Sequence, residues 1–167
     1  LFSKDTDYIV RNKKLATDNA SVLDVYYSII KKLLIEKKIN VKEDFCCLLP
    51  TSPLRKISIL NKAYEKFLRL NPYSLISVNL SKPKGWVWEK NKNNVITKKS
   101  ILNFSNPNRQ MCNKSYVPNG NFYFFNVLKF FKKKKLLDKT TLLFEIQKSI
   151  SLDLDDNEDL KTLRKLL

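Results

Sequence analysis

Phe45-Cys46-Cys47-Leu48-Leu49-Pro50-Thr51-Ser52-Pro53-Leu54-Arg55 passes from a continuous apolar run into a proline-stiffened polar turn. Glu43-Asp44 bounds the run on one side and Pro50 on the other. A run this short predicts a strand buried on both faces, as in a parallel sheet. Upstream, Thr17-Asp18-Asn19 supplies helix N-cap chemistry, and Val22, Val25, Tyr26, Ile29, Ile30, Leu33 and Leu34 recur at helical spacing. That spacing predicts a helix over 20–36. Downstream, Ile57, Leu60, Ala63, Tyr64, Phe67 and Leu68 form a second helical face, and Ser74 to Val78 reads as a strand. Helix, strand, helix, strand in that order predicts an α/β domain with parallel strands.

From Ser81 to about Tyr116 the pattern changes to a polar, Lys/Asn-rich excursion with Trp86 and Trp88 at strand spacing. Pro118-Asn119-Gly120-Asn121 reads as a turn. A strand over 122–125, a helix over 127–135 and a strand over 142–146 follow. Ser151 to Asp155 alternates polar and apolar residues as a strand does. Asp156-Asn157 then opens a last helix carrying Leu160, Leu163, Leu166 and Leu167. No internal repeat is visible.

A chain of 167 residues, 43% hydrophobic, is one ordinary domain with enough apolar residues for a core. It contains no His, which excludes Ser-His-Asp and Cys-His catalysis within the chain and nearly every zinc site that uses His. Only Gly85 and Gly120 are glycine, so neither common Gly-rich phosphate loop is present. The apolar runs are too short to cross a bilayer, and Leu1-Phe2-Ser3-Lys4-Asp5 does not open a signal peptide. It opens without Met, which fits an incomplete start. Cys46, Cys47 and Cys112 are odd in number, with two adjacent. They do not look like a disulfide framework and fit a reducing cytoplasm.

Net charge is +16, carried by 27 Lys and 5 Arg. Nucleic-acid sites lean on Arg, whose planar fork reads phosphate and guanine. Lys spread over every segment instead predicts a bland basic surface, with Lys132 to Lys135 as a solvated helix end. The positive field also suits a small anionic substrate.

Three groups carry candidate chemistry. Thr51, Ser52 and Arg55 follow the carboxyl end of a buried strand, where open α/β sheets bind ligands; the same residues also make an ordinary capped turn. Asp153 and Asp155 are spaced so that a strand would point both to one face. Such a pair suits Mg²⁺, which completes its shell with phosphate and water. Acidic residues also commonly open a helix. Arg109, in Asn108-Arg109-Gln110, has the fork to pair a carboxylate, and otherwise reads as a surface loop.

Taken in order, Ala16-Thr17-Asp18-Asn19-Ala20-Ser21, Leu49-Pro50-Thr51-Ser52-Pro53-Leu54-Arg55, Asn108-Arg109-Gln110, Pro118-Asn119-Gly120 and Leu152-Asp153-Leu154-Asp155 resemble the nonulosonic-acid cytidylyltransferases, the family of CMP-sialic acid synthetases. The likeness runs from about Ile9 to Leu167, and Pro-Thr-Ser-Pro-Leu-Arg is its most specific piece. It implies one domain over 1–167 with a doubly wound, mostly parallel α/β sheet of nucleotidyltransferase type. It also implies a homodimer built partly from the 81–116 excursion, with Trp86 or Trp88 at the contact. The implied reaction moves CMP from CTP to a nine-carbon keto-acid sugar, with Mg²⁺ and release of pyrophosphate, in the cytoplasm and without nucleic-acid or membrane partners. Asp153 and Asp155 match the catalytic metal-binding aspartates; Arg109, Asn119 and Tyr123 match the sugar site; Arg11, Ala20, Ser21, Thr51 and Ser52 match the nucleotide side.

Departures from the family pattern add expectations. Leu49 stands where the family often has Gln, and Leu136-Leu137 where some members carry aromatics. Both favour a sugar other than N-acetylneuraminate. The family's basic, Gly-containing nucleotide loop and first strand are not in this chain, so a strand–loop–helix unit of roughly 30 residues is expected to be missing at the front. Two rival readings remain, a basic nucleic-acid-binding module and a non-catalytic remnant of the same fold.

Overall fold

The computed structural model describes residues 6, 8–17, 19–83, 87–98 and 113–166. In chain order the elements are α1 (Val22–Ile35), β1 (Asp44–Cys47), α2 (Ile57–Leu70), β2 (Ser74–Ser81), β3 (Ser115–Asn126), α3 (Val127–Lys133), β4 (Leu142–Glu145) and α4 (Asn157–Leu166). The apolar spacing that predicted α1, α2 and α4 is realised to within a few residues. Helix α3 ends at Lys133 because Lys134 turns left-handed, with its N–H on Phe130 O.

The sheet has four strands in the order β1-β3-β2-β4. β3 runs antiparallel to both β1 and β2, and β2 pairs parallel with β4. Strands β1, β2 and β4 therefore point one way, with β3 reversed between them. This corrects the expectation of a mostly parallel sheet: β2 and β4 are its one parallel neighbouring pair among the described residues. It also corrects β1, which is not buried on both faces. β1 is an edge strand of the described sheet, Cys46 is exposed, and Leu48 just beyond it is 45% exposed.

The reversed strand organises the core, because successive side chains on a strand point to opposite faces. Phe122 and Phe124 pack with Leu75 and with Ala63 and Phe67 of α2. Phe125 points the other way, against Ile30 of α1 and Val127 and Phe130 of α3. Helices thus cover both faces of the sheet. Asn126 joins strand to helix: its side chain caps Lys129 N, and its Nδ2 donates to Asp44 Oδ1 at 3.0 Å. Phe125 is fully buried, so truncation to Ala would cost about 3–5 kcal/mol.

The excursion lies between β2 and β3. Residues 87–98 double back through a Lys90–Ile96 bridge, closed by Asn91 N donating to Val95 O at 2.8 Å. Trp88 is 58% exposed on this piece, whereas Trp86 lies outside the described residues. No helix among the described residues is long and apolar enough to cross a membrane.

Candidate active site

The stretch read as a turn at Pro118-Asn119-Gly120-Asn121 is part of β3, and this correction creates the site. Register slips between Ile76↔Tyr123 and Val78↔Pro118, leaving extra residues on β3. Such a bulge re-aims the chain. Ser77 supports it from β2: its Oγ donates to Phe122 O and accepts from Phe122 N, each at 3.0 Å. Gly120 takes φ +71°, which suits glycine at little cost.

Past β1 the chain turns back, with Ser52 N donating to Leu49 O at 3.3 Å. Arg55 clamps this turn to the bulge: Nε donates to Asn121 O at 2.7 Å and Nη2 to Leu49 O at 2.8 Å. Its guanidinium is therefore a brace between two loops, not the ligand grip suggested by its place in the sequence. The third wall is 151–155, attached by Leu154 N donating to Thr51 O at 2.9 Å. This segment forms no strand, correcting a second expectation. The Asp155 and Asp156 N–H groups go to Asp159 Oδ2 at the start of α4, not to a ladder.

The three walls meet at Gly120. A Cβ there would stand 3.0 Å from Leu49 Cδ1, 3.2 Å from Asp153 Oδ2 and 3.5 Å from Ser52 Oγ. Three buried polar atoms have no partner among the described residues: Ser52 Oγ, Asn119 Nδ2 and Asp153 Oδ1. Ser52 is 1% and Asn119 6% exposed. Buried polar atoms almost always find partners, so these three atoms carry unmet hydrogen-bonding capacity. They offer a hydroxyl, an amide donor and a carboxylate oxygen.

Beside it, burial pushes the Tyr123 phenol above its ordinary range; a backbone hydrogen bond at Gly120 opposes this and the charge of Asp153 adds to it. Tyr26 of α1 and Cys47 at the end of β1 line the same cavity. The N-terminal half of α1 therefore lies beside the sheet end that carries the site.

Ser52, Asn119 and Asp153 are thus brought together, with Tyr123 and Thr51 adjoining. Asp155, two residues on, is exposed. Among the described residues no three His, Cys, Asp or Glu side chains gather as a metal centre. Ala20 and Ser21 lie at the start of α1, and Arg11 lines a small cavity against that helix with Leu15 and Ile29. Arg109 lies outside the described residues. Leu49 does face the site, but Leu136 packs into the core beside Phe125 and Phe130, and Leu137 is 60% exposed. Sequence reasoning missed Arg55 as the clamp and Gly120 as the floor. The one available signal was that Gly120 is one of only two glycines in the chain.

No family model matches the chain. The pseudaminic acid cytidylyltransferases of two Campylobacter jejuni subsp. jejuni strains, serotypes O:2 and O:23/36, are each 24% identical over 91% of this chain and 65% of their own length. The N-acylneuraminate cytidylyltransferase of Escherichia coli O18:K1:H7 is 28% identical over 94% of this chain and 36% of its own. The chain spans just under two thirds of the length of the Campylobacter proteins. Similarity to two kinds of such enzyme over more than nine-tenths of the chain makes it, in sequence, nonulosonic-acid cytidylyltransferase-like.

Proposed function

We propose that the chain is the substrate-binding and metal-binding part of a nucleotidyltransferase that moves CMP from CTP to a nonulosonic acid. The observation that carries this reading is the trio of buried, unpartnered atoms at Gly120, on the segments whose order matched the family. The donor set fits Mg²⁺. Asp153 Oδ1 is a buried carboxylate oxygen without a hydrogen-bond partner among the described residues, and Asp155 follows two residues on. Two carboxylates do not make a closed cage, which suits a cation that keeps water and phosphate ligands.

In the reaction, the anomeric hydroxyl oxygen of the sugar forms a bond to the α-phosphorus of CTP. The bond from that phosphorus to the bridging oxygen breaks, pyrophosphate leaves with the electron pair, and the hydroxyl gives up its proton. Asp153, with Asp155 two residues on, would hold Mg²⁺, which would supply charge neutralisation for the phosphates when bound. Asn119 and Tyr123 face the sugar, with Arg109 on its acid group. Thr51 and Ser52 orient the nucleotide, with Arg11, Ala20 and Ser21 on the same side. Most of the acceleration is positioning, and no general base is assigned. The protein works as a two-fold homodimer in the cytoplasm.

The test is Asp153→Asn, assayed by pyrophosphate release with CTP, Mg²⁺ and pseudaminic acid. Product formation should be abolished. A variant retaining more than about a tenth of wild-type rate, against the 10²-fold or larger losses typical of such charge-stabilising groups, would remove the metal assignment. A wild-type chain that binds no CTP would favour a non-catalytic remnant.

A further inference from the structure

Asn121 sits in the β3 bulge beside Gly120 and is 2% exposed. Its backbone O accepts from Arg55 Nε at 2.7 Å, which joins the bulge to the turn after β1. Its backbone N donates to Asn119 Oδ1 at 3.2 Å. Its side-chain Nδ2 donates to Ile150 O at 3.1 Å. The first two contacts are open to any residue with a backbone N–H and C=O; the third needs the asparagine amide. The contact with Asn119 sets which end of that amide is spare: Oδ1 is taken, and Nδ2 is left without a partner among the described residues. The contact with Ile150 closes a ring around the cradle. Arg55 ties the turn to the bulge, Leu154 N ties the 151–155 wall to the turn through Thr51 O at 2.9 Å, and Asn121 Nδ2 ties the bulge to the residue just before that wall. Asp153 lies on the arc from Ile150 to Leu154, which is pinned at both ends. Ser151 Oγ, donating to Asn79 Oδ1 at 3.0 Å, holds the same arc to β2.

Resting on the proposed reaction, we propose that Asn121 is a positioning residue: its side-chain amide, acting through Ile150, fixes the Ile150–Leu154 arc so that the Asp153 carboxylate stands where it can hold the metal. A metal-binding carboxylate works only if its own backbone is held, and a hydrogen bond one step behind it supplies that hold. Removing such a support weakens metal binding by about 10–100-fold. The effect has a signature. A substitution at Asn121 leaves the N–H to Asn119 and the C=O to Arg55 in place, so Asn119 and the turn that carries Ser52 keep their settings. The bonds through Ser151 and Leu154 keep the arc on the molecule, so losing the amide loosens Asp153 without unfolding its surroundings. Metal binding should therefore fall while the sugar side is spared.

The experiment uses the full chain as wild type, Asn121→Ala and Asn121→Ser, the last carrying a hydroxyl one bond shorter than the amide. Mn²⁺, standing in for Mg²⁺, is titrated and its binding read by electron paramagnetic resonance. Hydrogen exchange over 150–155 is read by mass spectrometry, and KM for pseudaminic acid is measured with CTP at saturating Mg²⁺. Each variant should bind Mn²⁺ about tenfold more weakly and exchange this stretch faster, with KM for the acid within about twofold of wild type. Unchanged Mn²⁺ binding by a folded variant overturns the proposal. So does a KM for the acid that rises as far as the Mn²⁺ constant, which would make Asn121 a support of the whole site. Failure of both variants to fold overturns it as well, because the residue would then serve the fold. A wild type that binds Mn²⁺ and forms no product overturns the proposed reaction alone, and the Mn²⁺ loss then decides the role of Asn121. A wild type that binds no Mn²⁺ overturns the metal assignment and this role together.

Discussion

Asp153 rests its carboxylate against Gly120: Oδ2 lies 3.2 Å from where a Cβ on that glycine would stand. The contact ties a segment after β4 to a bulge in β3. A side chain at position 120 would crowd this contact, and the backbone φ of +71° there favours glycine.

Gly120→Ala therefore meets two penalties. The new Cβ would press on Leu49 Cδ1 at 3.0 Å, and a non-glycine residue would be held in the left-handed region. Together these should destabilise the fold by about 1–3 kcal/mol and displace Asp153. Urea denaturation reads the first effect, and weakened Mg²⁺-dependent CTP binding the second. A variant as stable as wild type would mean the bulge relaxes freely.

Ser52→Ala should separate stability from binding. The hydroxyl is buried without a partner, so its removal relieves an unmet hydrogen-bonding demand. The unliganded variant should melt at or above the wild-type temperature while binding CTP with Mg²⁺ about tenfold more weakly, the cost of one hydrogen bond to a charged group. Clear destabilisation without ligand would show that the hydroxyl serves the fold.

Burial pushes the Cys47 thiol up to about 12, from an ordinary 9.0. Its raised value means that the folded chain holds this proton more tightly than the unfolded chain does. The associated stabilisation is complete below pH 9.0 and is lost as pH rises toward about 12. At pH near 8 only a small fraction is thiolate, so iodoacetamide should modify Cys47 at least about tenfold more slowly in the native protein than in urea. Peptide mapping would measure this, and equal rates would refute the shift.

Trp88 is 58% exposed on the doubled-back piece between β2 and β3. Large exposed aromatics of this kind mark interfaces. Sedimentation at micromolar concentration should show a dimer, weakened by Trp88→Ser. A clean monomer would refute the dimer. A dimer unaffected by Trp88→Ser together with Trp86→Ser would refute only the role of these two residues.

Residue order alone carried the α/β class, the helical faces of α1, α2 and α4, the exclusion of His chemistry and the family likeness. These are local properties: spacing reports which side of an element is buried, and composition reports which reactions lack their groups. What lay beyond it was pairing. Phe122 to Phe125 announced a strand but not that it would run reversed between β1 and β2, because neighbours in a sheet are chosen by the closure of the whole core. Pro118-Asn119-Gly120 has the chemistry of a turn, and only the register against β2 makes it a bulge. Arg55 and Asn121 lie 66 positions apart; no local periodicity links them, so the clamp becomes visible only when β1 and β3 lie side by side. Asp153 and Asp155 are equivalent by spacing. The tertiary structure distinguishes them by burial: an oxygen of Asp153 is buried beside Gly120, whereas Asp155 is exposed and its backbone N–H goes to Asp159 at the start of α4.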